Sequence, residues 1–398
     1  MIFKVKNIFA FVLAFACAFF GWRGYIYFFD KKIPEISLIG MKDSGYYCGN
    51  LQCAISGSKK GSISIWLDDK PLMRKFKIES TKKEYPFVIP TRTISNGKHS
   101  IKMELTDNTY HKNKSEKFLR FYVDNVPPQA AFLKNDSEFK VFQGRTLHVQ
   151  FQVNKKIKEA KIDTLSSSYE CFPESKNSSI YETFIPINCE ESPNEYLLSA
   201  EVKDYVGNVL HFESKFQVVK FPFKKQIIKL TNEKVKKEKE LGFTQAELEM
   251  QLEELAQKSP KEKLWKGQFC TPIDIIRSTC DFGTVRTTQQ KGKYIHKAID
   301  ILNAPKSVVW ASQEGIVAIK DRYEESGNTI VIDHGWGVVS MYFHLEDFAN
   351  IEVGDRIRKG NPVGTLGTTG YATGYHLHWE LRVNNVAVDP LQWVKATF

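Results

Sequence analysis

GYHLHWELRV, residues 374–383, decides how the C-terminal part of this chain is read. Aromatic and branched residues alternate there with polar ones, the period-two pattern of a strand. Residues two apart on a strand share a face, so His376 and His378 point the same way while Leu377 turns into the core. Upstream, HKAID sets His296 and Asp300 four residues apart at the entry to the apolar strand IDIL, and VVSMYFHL closes with His344 and Leu345. Strand and helix alike would let His296 and Asp300 converge. Five of the nine histidines fall between positions 296 and 378. The others, His99, His111, His148 and His211, are scattered and read as ordinary surface or core residues.

Two imidazoles and a carboxylate, with further imidazoles beside them, meet the needs of a catalytic zinc site: three protein ligands, an open position for water, and groups to move protons. The same donors accept manganese, iron or cobalt. GIVAIKDRY, NTIVIDH and VVSMYFHL read as antiparallel strands joined at Ser326-Gly327-Asn328 and Gly335-Trp336-Gly337, a sheet across which an extended peptide can lie. Glycine-rich TLGTTGYATG would wall that groove. His334, at a glycine-flanked turn, is placed to hydrogen-bond the backbone or to back the site. Tyr342, two residues before His344, lines the groove on the same strand face or packs in the core.

From about Phe269 to Phe398 the chain resembles the lysostaphin-type (LytM-like) zinc endopeptidases, which cut the peptide cross-links of bacterial peptidoglycan. The matching strings are FGTVR at 282–286, HKAID, DHGWGVVSMYFHL at 333–345, VGDRIRKGNPVGTLGTTG at 353–370 and TGYHLHWEL at 373–381. The resemblance implies one Zn2+ per chain held by His296, Asp300 and His378, with His344 and His376 as unligated catalytic histidines. Ala298 stands where that family usually has glycine.

The N-terminus says where the chemistry takes place. Ile8 to Trp22 is an uninterrupted apolar run, and the pattern resumes after Arg23 through Phe29, giving about 22 residues between Asn7 and Asp30, near the ~20 that span a bilayer as a helix. Arg23 is close enough to one end to snorkel, and Lys4 and Lys6 would hold the N-terminus in the cytoplasm. The reading is a single-pass inner-membrane anchor, with the bulk of the chain in the periplasm or cell exterior. A cleaved signal peptide is the alternative, although its small-residue pattern Ala16-Cys17-Ala18 lies inside the apolar run rather than after it. Both export the protein. Besides Cys17, the cysteines fall into near pairs, Cys48 with Cys53, Cys171 with Cys189 and Cys270 with Cys280, which suggests local disulfides in an oxidising compartment. None has metal-ligand spacing with the histidines.

Residues 1–31 thus read as the anchor, 32–126 and 127–222 as two β-sandwiches, 223–262 as a charged helical connector, and 263–398 as an antiparallel-sheet peptidase domain. The fold class is mainly β. SISIWLDD, KHSIKMELTD and EKFLRFYVD in the first sandwich, and TLHVQFQVN and NEYLLSAEVKD in the second, alternate in period two at the spacing of sandwich strands, and both segments resemble bacterial immunoglobulin-like domains. Without a catalytic cluster, they read as a spacer. In the connector, FTQAELEMQLEELAQ has helical periodicity with a capping box at Thr244 and Glu247 and a stop at Pro260. It is a solvated connector or a segment lying across the groove. The net charge of +10 suits attraction to anionic wall polymers and headgroups, and no nucleic-acid-binding motif accompanies it. Two other readings stand beside the peptidoglycan endopeptidase: a scaffold that activates a separate amidase, and an endopeptidase acting on protein.

Overall fold

The computed structural model describes residues 2–227, 236, 238, 242–288 and 292–396. Parts of the connector, 228–235, 237 and 239–241, lie outside the described residues. The chain is mainly β with an apolar N-terminal helix, and it divides into two compact units, one holding the chain up to Pro128 with Asp204–Asn208, the other Gln129–Lys203 with Val209–Phe398.

In the first unit, helix α1 (Ile2–Phe29) contains the apolar window Val12–Phe29, long enough to cross a membrane and wholly unburied. A three-stranded sheet (Ile36–Ile39, Leu51–Gly57, Tyr85–Ile89) and a five-stranded sheet (Gly45–Tyr47, Lys114–Val123, Gly97–Asp107, Gly61–Leu67, Lys70–Ile78) share one core. Alternation explains the pairing: in GSISIWL every second residue, Ile63, Ile65 and Leu67, is buried, beside Ile55, Ile101 and Phe121.

The second unit opens with the same construction. A five-stranded sheet (Lys140–Phe142, Val209–Val219, Glu195–Lys203, Glu159–Thr164, Ser167–Glu170) and a four-stranded one (Phe172–Pro173, Ile180–Pro186, Thr146–Val153, Ala130–Phe132) enclose Phe151, Ile162, Ile185, Leu198 and Phe216. A ten-stranded sheet follows. Its main path uses β1 (Arg277–Cys280), β2 (Ala298–Leu302), β3 (Gly315–Tyr323), β4 (Gly327–Asp333), β5 (Val338–Phe348), β6 (Arg356–Ile357) and β7 (Leu377–Val383) in the order β1-β2-β7-β5-β4-β3-β6, every neighbour antiparallel.

Two helices pack on this sheet. In α2 (Gln245–Lys258) the capping box closes: Thr244 Oγ1 accepts from the Glu247 amide, and Glu247 accepts from the Thr244 amide at 2.7 Å. Leu248 and Leu252, one helical turn apart, are buried against Tyr323, Val331, Val339, Met341 and Phe343. The helix is therefore docked by an apolar face, not solvated all round. In α3 (Pro390–Lys395), Trp393 joins Trp265, Trp336, Phe269 and Phe184 in one aromatic cluster and donates to Thr146 Oγ1 at 3.0 Å. The second sandwich and the large sheet thereby share a packed aromatic interface.

All seven cysteines are free thiols, which corrects the pairing read from sequence proximity. The reason is direction. Cys53 faces the core on its strand while Cys48 is exposed, and the Cys270 thiol donates to the carbonyls of Ala311 and Ser312 while Cys280 is directed at Asp281 O. Burial pushes the Cys53 thiol up to about 11 and Cys189 to about 12.

Candidate metal centre

Strand register assembles the site. Cys280 on β1 pairs with Asp300 on β2, Asp300 with His378 on β7, and His378 with Phe343 on β5, so these four side chains form a row across one face of the sheet. His378 stacks on Phe343, ring centroids 5.0 Å apart and nearly parallel. His376, at the edge of β7, stands on the same face, and Leu377 between them is buried in the core beneath.

Asp300 is the hub. Its Oδ1 lies 3.0 Å from His378 Nδ1, 3.1 Å from His296 Nε2 and 3.8 Å from His376 Nε2. Its Oδ2 accepts from Arg286 Nη2 at 2.5 Å, and Arg286 Nη1 donates to His296 Nδ1 at 2.7 Å. His296 is 2 % exposed, yet its Nε2 makes no hydrogen bond among the described residues, being out of alignment with Asp300. Such an orphan needs an explanation, and a metal ion supplies one. The Oδ1–nitrogen separations are near the roughly 3.3 Å that divides neighbouring donors of a tetrahedral ion with ~2.0–2.2 Å bonds.

The donor set whose atoms all lie close together among the described residues is Cys280, His296 and Asp300, one atom each, all within 4.8 Å of one another. Spacing along the chain does not announce this closeness of Cys280 to His296. The pairing of β1 with β2, a long-range feature, puts Cys280 there. Burial pushes its thiol up, against the pull of Arg286, and a protonated thiol is a poor ligand.

His344 reaches the site by an irregularity. Strict alternation would turn it to the face of Tyr342, but its φ is +60°, and β5 slips register against β4 in the same region. Phe343 and His344 consequently both face the site, with the His344 ring 4.8 Å from that of His376 and 5.8 Å from that of His378. Tyr342 and Leu345 are buried in the core. Tyr342 therefore does not line the groove: its hydroxyl bonds the Ser312 amide at 2.7 Å and the hydroxyls of Ser312 and Ser340. His334 belongs to the same buried network, Nδ1 donating to Glu314 O at 2.7 Å and Nε2 on Ser340 Oγ at 2.8 Å.

Burial dominates the electrostatics of the imidazoles. It lowers His296 to about 4, and it holds His376 below and His344 well below the usual imidazole range. For His378 burial acts the same way, but the hydrogen bond to Asp300 and the neighbouring Glu380 carboxylate outweigh it and raise the value. Burial also opposes the Asp300 charge, yet His296 and His378 hold the carboxyl well below 3.8.

Sequence reasoning did not single out Arg286, Glu380 or Arg382 as site residues. Glu380 and Arg382 continue the alternation of His376 and His378, so the period of HLHWELR was the available signal. An open groove of ≈ 740 Å³ runs over the site, bordered by Arg286, His296, His344, His378, Tyr371 and Lys297.

Imidazoles gathered about a buried carboxylate, on an antiparallel sheet below an open groove, make a candidate metal site. Residues 294–390 match Peptidase family M23, and the chain carries an M23 peptidase domain. A 126-residue stretch is 31% identical to peptidoglycan DD-endopeptidase ShyC of Vibrio cholerae serotype O1, covering 31% of this chain and 29% of that protein. Another, of 127 residues, is 37% identical to DD-carboxypeptidase/endopeptidase Mpg of Neisseria meningitidis serogroup B, covering 32% and 29%. The chain thus spans less than a third of the length of these curated relatives. The solved catalytic domain of the antimicrobial peptidase lysostaphin from Staphylococcus simulans aligns at 24% identity over 36% of this chain and 97% of that one, with a TM-score of 0.25.

Proposed function

We propose that this chain is a zinc-dependent endopeptidase that hydrolyses peptide cross-links of bacterial peptidoglycan. The observation that carries the reading is the buried Nε2 of His296, which makes no hydrogen bond among the described residues, beside the oxygen of Asp300 that also faces His378 Nδ1. His296, Asp300 and His378 would hold the ion. Bound there, zinc lowers the pKa of a water to ~7 and polarises the scissile carbonyl.

His344 and His376 are the proposed catalytic residues. Each donates its Nδ1–H to a backbone carbonyl, His344 to Thr369 O and His376 to Gly374 O, both at 2.8 Å. Because burial keeps both rings neutral at pH 7, each retains Nε2 as its free base nitrogen. One can accept a proton from the attacking water while the other, once protonated, stabilises the developing oxyanion. In this reading α1 anchors the protein in the inner membrane, residues 32–126 and 127–222 form two immunoglobulin-like sandwiches, 223–262 connect them to the peptidase domain at 263–398, and the substrate is met on the periplasmic side. The relatives whose names specify peptidoglycan DD-endopeptidase support that substrate.

The test uses the full chain in detergent with isolated sacculi, following released muropeptides by chromatography. Release should stop with a chelator, return with zinc, and be absent in His296→Ala. Sacculi left intact by zinc-loaded protein would sink the reading.

A further inference from the structure

Beyond its two histidines, the groove face of β7 carries Glu380 and Arg382, both buried. Glu380 Oε2 lies 3.6 Å from His378 Nε2, and Glu380 Oε1 accepts from Arg382 Nε at 2.6 Å. Arg382 turns its other two nitrogens on Glu249: Nη1 on Oε2 at 2.7 Å and Nη2 on Oε1 at 2.8 Å. This fork-to-fork arrangement is the strong and directional form of an arginine–carboxylate pair. Glu249 is on α2, upstream of the residues that match the peptidase family. The helix cannot drift, because Leu248 and Leu252 are buried, Gln251 bonds the Tyr323 hydroxyl and Gln245 accepts from Ser326 Oγ at 2.8 Å.

We propose that Glu249 is a positioning residue of the metal centre, so that the connector helix completes the peptidase site besides linking it to the preceding domain. The inference rests on the zinc reading above. Glu249 fixes the Arg382 fork, Arg382 fixes Glu380, and Glu380 faces the Nε2–H of His378, which leaves Nδ1 as the nitrogen turned toward Asp300. Carboxylates that receive the second N–H of a ligating histidine set its ring orientation and tautomer, and losing them costs 10–100-fold in metal affinity. Without Glu249, Arg382, whose side chain is 4 % exposed, keeps Asn385 Oδ1 as a neutral acceptor and has Glu380 as its one carboxylate partner among the described residues. It would draw Glu380 away from His378. A helix acting as a removable plug over the groove makes the opposite prediction, since loosening it would raise activity.

The experiment compares Glu249→Gln and Glu249→Ala with wild type in the full chain, and uses Glu253→Gln, an exposed residue one turn further along the same helix, as control. Zinc affinity is measured without substrate by competition with a chromophoric chelator, alongside the melting temperature of the metal-free protein and muropeptide release. Glu249 stands one residue behind the direct partner of His378, so about tenfold weaker zinc binding is expected for both variants, with release falling in parallel and Glu253→Gln unchanged. The near-isosteric Gln variant keeps the test valid should the Ala variant not fold. Zinc binding within about twofold of wild type, or faster release, overturns the proposal and leaves the zinc reading intact. A wild-type chain that binds no zinc removes both.

Discussion

Replacing Asp300 by asparagine in the metal-free protein isolates the charge balance beneath the site. The Asp300 side chain is 4 % exposed and that of Arg286 12 %, with their atoms 2.5 Å apart, so neither has solvent to fall back on. Removing one partner of a buried pair costs about 3–5 kcal/mol, because the other charge is left desolvated. An amide oxygen retains one acceptor for the guanidinium, which points to the lower end, about 3 kcal/mol. At roughly 2–4 °C per kcal/mol for a unit of this size, Asp300→Asn should lower the melting temperature by about 6–12 °C. Arg286→Met removes the cation and fills its volume, so adding it to Asp300→Asn should recover about 2 kcal/mol, a coupling that a double-mutant cycle reads directly. The assay is urea unfolding of chelator-treated full chain, followed by tryptophan fluorescence from the buried Trp379 and Trp393. The pH dependence has a definite sign. A carboxyl whose folded pKa is depressed contributes fully above its ordinary value near 3.8 and loses the contribution as pH falls through the folded value. The gap between wild type and Asp300→Asn should therefore persist at about pH 5 and close only in stronger acid. Strictly additive substitutions, or a gap that closes near neutrality, would refute the view of Asp300 as a charged hub.

Tyr342→Phe should destabilise by about 1–3 kcal/mol, since it strands the buried Ser312 amide. It should leave muropeptide release within about twofold, and a large loss of activity would return Tyr342 to the groove. Gly327→Ala should cost more than about 2 kcal/mol, because φ there is +67° and a Cβ would collide with Thr369. Activity should fall with it, as the Thr369 carbonyl orients His344. Thiol titration of the denatured, unreduced protein should count seven free cysteines, and a lower count would restore disulfides to the fold.

Alternation carried the strands β3, β4, β5 and β7 and the common face of His376 and His378, because a two-residue period is written in the residues themselves. The same period ran on to Glu380 and Arg382 in HLHWELR, where two charges on a strand look like a solvated edge until the groove face is found to be covered by α2. In that helix the Leu248–Leu252 spacing was legible, but not the strands it would bury against. Cys280 illustrates the same gap, because its place beside Asp300 depends on register between strands far apart in sequence. So do the cysteine pairs, where nearness along the chain says nothing of direction.

His344 is the informative failure. Alternation assigned it the face of Tyr342, and a single left-handed residue reversed the assignment. Histidine in that conformation costs about 1–2 kcal/mol, and no local pattern announces it. It persists because two bonds over-determine it: the His344 amide donates to Ser326 O and Nδ1 donates to Thr369 O, each at 2.8 Å. Both acceptors lie on loops outside β5, so the strain is held by tertiary structure and not by the strand. Residues so held cluster where a side chain must be aimed against the habit of its backbone. The place where the periodic reading breaks is thus the place where an imidazole is turned toward the metal ligands, which makes the break an argument for the proposed role of His344.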